Sequence, residues 1–178
     1  MKIIGVNLSA YGKSTSTKLV AEVLRGAAEN GHETQVFNLA QGNLKGCCGC
    51  HACKLENATG CVLRDDMTAY FEALYDADVL VFGAGCYMGY PNGQAWDFMN
   101  RHFSLNKEMF SNCRIPAGKK LVAAFSQGVP EPGLYVAHYD ALIEPFYGWG
   151  FEPATKLIAT SMNAEAVLAE AYELGKSL

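Results

Sequence analysis

Short runs of Val, Ile, Leu and Phe alternate along the chain with stretches whose apolar positions recur every three to four residues. The first kind suits strands buried on both faces, and the second suits amphipathic helices laid across them. The pattern predicts strands over Lys2–Asn7, Thr34–Asn38, Val79–Gly83, Lys120–Ser126 and Thr155–Ala159. Helices are predicted over Thr15–Asn30, Asp66–Tyr75, Gln94–Phe103, Leu134–Tyr147 and Ala164–Lys176. Gly31 reads as the stop of the first helix, Asp66 as the N-cap of the second and Asn163 as a cap of the last. Strand and helix in strict alternation imply one α/β domain over residues 1–178, a doubly wound parallel sheet with right-handed crossovers. No repeat, linker or low-complexity stretch interrupts it.

In such sheets ligands sit outside the carboxyl ends of the strands, so the segments after the first, third and fourth strands belong together. The first contains Ser9, Tyr11, Lys13, Ser14, Thr15 and Ser16 and runs into a helix. Hydroxyls and unpaired amides at a helix N-terminus attract a phosphate, here the monophosphate of a mononucleotide such as FMN. Gly12-Lys13-Ser14 also matches the end of a Walker A loop, but the required first glycine would fall on Asn7. Asp78 stands at the wrong end of its strand to hold Mg²⁺, so a nucleotide switch or ATPase is the weaker reading. The second segment offers Ala84, Gly85, Cys86, Tyr87, Met88 and Gly89, with glycines for close approach and Tyr and Met surface for a ring. The third offers Ser126 and Gly128 before two prolines.

Composition adds constraints. The net charge is −4, with Lys and Arg scattered, which argues against a nucleic-acid partner. No apolar run is long enough for a membrane span and the N-terminus reads as a strand rather than a signal, so the expected location is cytoplasmic. His32, His51, His102 and His138 read as surface or packing residues, and no acid–base catalytic residue is identified. That suits chemistry carried by a cofactor.

Five of the seven cysteines fall between Cys47 and Cys61, inside a connection from Leu39 to Asp65 with little regular pattern. A loop so long in a small domain is usually functional. Cys47, Cys50 and Cys53 are spaced three apart, and Cys61 follows after seven residues, a set able to face one iron–sulfur cubane. Structural zinc and a metal-free loop of thiols remain open, although zinc sites more often split into two pairs. Cys48 is left over, and Cys86 and Cys113 read as buried thiols.

The stretch Gly60-Cys61-Val62-Leu63-Arg64-Asp65-Asp66-Met67, the strand Ala77 to Gly83, and Tyr87-Met88-Gly89 followed by Gln94 through Arg101 resemble the NADPH-dependent FMN reductase family. More narrowly they resemble its iron–sulfur flavoprotein branch, from Ile3 to about Glu152. The resemblance implies a flavodoxin-like three-layer sandwich, a five-stranded parallel sheet of order 2-1-3-4-5 with helices on both faces. It implies FMN in the three segments above and a 4Fe–4S cluster on the cysteine loop at about 44–62. It also implies homodimers or homotetramers with flavins near subunit contacts. The redox partner would be NAD(P)H, ferredoxin or a quinone, and a plain FMN or quinone reductase without a cluster is the alternative. Two departures stand out: Leu8-Ser9-Ala10-Tyr11 where the family often has Gly-Ser-Pro-Arg, and Ala84-Gly85-Cys86 where it has Ser-Pro-Val.

Overall fold

The computed structural model describes residues 1–109 and 111–178. Its elements run β1 (Lys2–Asn7), α1 (Thr15–Glu29), β2 (Glu33–Phe37), α2 (Met67–Asp76), β3 (Val79–Tyr87), β4 (Tyr90–Pro91), α3 (Gly93–Arg101), β5 (Lys120–Ser126), α4 (Val136–Gly148), β6 (Thr155–Ala159) and α5 (Ala164–Ser177). The sheet has the order β2-β1-β3-β5-β6, all parallel, with β4 antiparallel on β3. With β4 set aside this is the expected order. The fold is flavodoxin-like.

Successive residues of the central strands face opposite sides, so two cores form. Ile4, Val6, Leu80, Phe82 and Phe125 pack with Tyr70 of α2, Phe98 of α3 and Phe146 of α4. Ile3, Val79, Val81 and Val122 pack with Leu19 and Val23 of α1 and with Val167 and Ala171 of α5. The latter two helices nearly touch: a Cβ added at Gly26 would lie 2.2 Å from the Tyr172 carbonyl oxygen. Among the described residues, no helix is long and apolar enough to cross a membrane.

Three expectations need correcting. The third strand does not end at Gly83 but runs to Tyr87, pairing Ala84 with Phe125 and Gly85 with Ser126. It then folds back through Met88 (φ 52°) and Gly89 (φ 87°) into β4. Positive φ at both central residues is what a two-residue hairpin turn of native twist requires. Asp66 does not cap α2; its Oδ2 accepts from the Asn43 amide at 2.7 Å, while Asp65 Oδ1 accepts from the Met67 amide. Asn163 turns its Oδ1 back to the Thr160 amide rather than onto α5.

Candidate functional site

Because β1, β3 and β5 are parallel neighbours, the segments that follow β1 and β5 flank the extension of β3. Asn92 ties two of them: its Nδ2 donates to the Leu8 carbonyl at 2.6 Å and its Oδ1 accepts from the Gly85 amide at 3.1 Å. Gln41 reaches in from the start of the long connection and donates to the Ser9 carbonyl. On the far side Gln127 donates to the Glu131 carbonyl and accepts from the Tyr139 hydroxyl, at 2.6 and 2.7 Å. Sequence reasoning missed all three. The only local signal was an Asn beside the Gly93-Gln94 helix start, and its partners arrive from remote segments.

Within this frame Ser14 is the N-cap of α1, its Oγ accepting from the Thr17 amide and bonded to the Ser16 hydroxyl. The amides of Thr15 and Ser16, in the first turn, have no intrahelical acceptor. Among the described residues the buried Ser9 hydroxyl has no partner, and a Cβ at Gly85 would lie 3.5 Å from it and 3.1 Å from the Tyr87 ring. Tyr11, Lys13, Tyr87, Met88 and Gly128 are exposed, Met88 almost wholly so. Gly89, Cys86 and Ser126 are half-buried, and the Ala84 side chain belongs to the core, leaving only its backbone to a ligand. Tyr90 stacks on His138 at 4.1 Å, whose Nδ1 is 2.7 Å from the Gly89 carbonyl oxygen, fixing the hairpin. The surface is thus an open shelf with a hydroxyl-rich end. Asp78 stands at the opposite end of β3 with its carboxylate on the Lys2 amide, which removes the Mg²⁺ ligand a Walker site would need.

The cysteine loop lies beside α3. Cys47, Cys48, Cys50, Cys53 and Cys61 line one small cavity with Arg101, Phe103 and Ser104. Cys53 is buried, Cys61 half-buried, and Cys47, Cys48 and Cys50 exposed; Cys86 and Cys113, expected to be buried, are half-buried and lie outside this cavity. Among the described residues, no three His, Cys, Asp or Glu side chains converge closely enough to hold a metal ion. The Ala52 amide and the Cys48 thiol hold the Cys50 thiol below its ordinary range, and burial pushes the Cys53 thiol up. A larger cavity of about 760 Å³ adjoins on the Cys61 side, between residues 56–64 and α2.

Arg64 Nη1 donates to the Cys61 carbonyl within the loop, and among the described residues three further cations tie the loop to its surroundings. Lys54 Nζ donates to the carbonyls of Phe103 and Asn106, and Arg114 donates to those of Cys53 and Ser104. Arg101, at the end of α3, is fully buried against Asp65, with Nη1–Oδ2 at 2.5 Å and Nη2–Oδ1 at 3.1 Å, and Nη1 also donates to the Lys45 carbonyl. Burial alone would raise the Asp65 carboxyl, but hydrogen bonds and charge from Arg101 hold it below its ordinary value. Breaking one partner of such a pair costs about 3–5 kcal/mol.

The profile of the family described as NADPH-dependent FMN reductase matches residues 1–142. An iron–sulfur flavoprotein of Methanocaldococcus jannaschii is 35% identical over 187 aligned positions, covering 100% of this chain and 95% of that protein. One from Methanosarcina thermophila is 29% identical, over 62% of this chain and 57% of the other. Among solved structures, the fold is similar to an NAD(P)H:quinone oxidoreductase from Methanothermobacter marburgensis, with TM-score 0.77, 18% identity, and 99% and 95% of the two chains covered. It is also similar to an FMN-dependent NADH-azoreductase from Bacillus anthracis in complex with FMN, with TM-score 0.66, 15% identity, and 99% and 96% covered.

Proposed function

The chain belongs to the NADPH-dependent FMN reductase family, and on that premise we propose that this NAD(P)H-dependent flavin oxidoreductase also carries a 4Fe–4S cluster on Cys47, Cys50, Cys53 and Cys61. The observation that carries the proposal is the single cavity lined by all four of those cysteines. The naming of relatives as iron–sulfur flavoproteins supports it. Gly49, at positive φ, and Gly60, with open space around it, give the loop room to draw the sulfurs together.

FMN when bound links two-electron hydride chemistry to one-electron steps, and an iron–sulfur cluster supplies one electron at a time. The chain's own residues bind and orient. The half-buried Ser14 and Thr15 would present hydroxyls and a free amide to the phosphate, the buried Ser9 and Ser16 hydroxyls would join them only after a local shift, and Lys13 would add charge nearby. Backbone at Ala84, Gly85, Ser126 and Gly128, with Cys86, Tyr87, Met88, Gly89 and Tyr11, makes up the shelf for the ring. Asn92 keeps the first two segments in register. The redox partner at the open shelf is NAD(P)H, with ferredoxin or a quinone at the other end of the exchange.

Protein prepared and reconstituted without oxygen is expected to show flavin bands and to hold about four irons per chain. Single Cys→Ala changes at Cys47, Cys50, Cys53 or Cys61 should remove most of that iron, whereas changes at Cys48, Cys86 and Cys113 should spare it. Zinc in place of iron, or no metal after reconstitution with iron and sulfide, would leave a plain FMN or quinone reductase.

A further inference from the structure

The cations that fasten the cysteine loop are not equivalent. Lys54 reaches out of the loop to the Phe103 and Asn106 carbonyls, Arg114 holds the Cys53 carbonyl from outside, and neither lines the cavity that the cysteines share. Arg101 does line it, and its guanidinium lies against the Cys61 side chain. Its Nη1 and Nη2 are taken up by Asp65 and the Lys45 carbonyl. Its Nε is buried and has no partner among the described residues.

A charged N–H left unpaired in the interior is costlier than a neutral one, and such groups in native proteins call for an explanation. The cavity beside it is walled by thiols. Thiolate and sulfide sulfurs are anionic acceptors, and a cubane with four thiolates is negative overall and one charge more so when reduced. Hydrogen bonds to the sulfurs and local charge are among the levers that set cluster potentials.

We propose that Arg101 is the positioning residue of the cluster, donating its Nε–H to sulfur on the Cys61 side of the cavity and favouring the reduced state by its charge. The inference rests on the cluster reading above. It gives the Asp65–Arg101 pair a second role beyond anchoring the loop. Asp65 takes up Nη1 and Nη2 and so fixes the guanidinium plane, and of the pair it is Arg101, not Asp65, that lines the cysteine cavity.

The test uses the anaerobically reconstituted holoprotein, with iron per chain measured and the cluster midpoint read by spectroscopic redox titration. One variant is Arg101→Lys, which keeps the charge and loses Nε. The other is the double change Asp65→Asn with Arg101→Gln, which removes both charges and leaves no lone buried ion. The double variant should still load iron, but at a fixed potential its reduced-to-oxidised ratio should fall about tenfold, which for a one-electron couple is about 59 mV. The Lys variant should fall between it and the parent. A wild-type midpoint in iron-loaded variants overturns the inference and leaves the cluster standing, whereas an iron-free parent protein overturns both. Circular dichroism and FMN content report folding. Should the double variant fail to fold, the Lys variant decides alone: a lowered midpoint supports the role, and an unchanged one removes it.

Discussion

The His102 ring lies wholly inside the core among Tyr70, Phe98, Phe146 and Trp149. Its Nδ1 donates to the Phe98 carbonyl and its Nε2 accepts from the Tyr70 hydroxyl, both at 2.8 Å, so the neutral ring satisfies both neighbours. Burial first, and the Arg101 charge after it, push its pKa from 6.5 down to about 3. As pH falls below about 6.5 the unfolded chain binds this proton and the folded one refuses it, so stability declines by up to about 1.4 kcal/mol per unit until about pH 3. Asp65, Glu29 and Glu108, held below their ordinary values, give up their share as pH falls through the carboxylate range, from about pH 5 downward. The interval from about pH 6.5 to 5 therefore reports largely on His102. Urea midpoints should drop across it in the parent protein, and His102→Gln should flatten the slope while lowering stability at pH 8 through lost packing. An equal slope in both would assign the acid sensitivity elsewhere.

At the scale of elements, the start of α1 should decide flavin retention. Replacing Ser14, Thr15 and Ser16 together with Ala removes hydrogen bonds to phosphate worth about 1.5–3 kcal/mol each, and the lost cap costs the helix only about 1 kcal/mol. The variant should therefore remain folded by circular dichroism and emerge from gel filtration without FMN; full flavin occupancy would place the phosphate elsewhere. β1, β5 and β6 match the apolar runs end to end because each is a short block of strand formers between polar residues. The extension of β3 was hidden because Ala84-Gly85-Cys86 has little strand propensity and is held by pairing to β5 and β4. Asp66 and Asn163 read as caps by type, but amides at Asn43 and Thr160 claim them first. The cysteine set and hydroxyl loop were legible as residue types at a spacing. Asn92 and Arg101 were not, since their roles need partners 84 and 36 residues away in the chain.

For the whole molecule, the shelf at the carboxyl edge leaves Tyr11, Tyr87, Met88 and Tyr90 at least half exposed, a cluster of large side chains on a chain of net charge −4. Apolar surface beside the proposed flavin site would suit a subunit contact, and symmetric closure would give a homodimer or a dimer of dimers. Light scattering at micromolar concentration should report twice or four times the chain mass of 19.3 kDa with FMN bound. A flavin-loaded monomer would contradict that assembly.

The anchoring of the cysteine loop bears on how the protein is made. In metal-dependent miniature domains the ion is the core, and the chain has no shape until it arrives. Here Arg101, Lys54 and Arg114 donate to the carbonyls of Lys45, Phe103, Asn106, Cys53 and Ser104. None of these bonds uses a thiol, so on the cluster reading the attachment of the loop does not depend on its iron, and folding and metal loading should be separable. Protein made without iron should then be as folded by circular dichroism as the loaded form and should keep FMN through gel filtration.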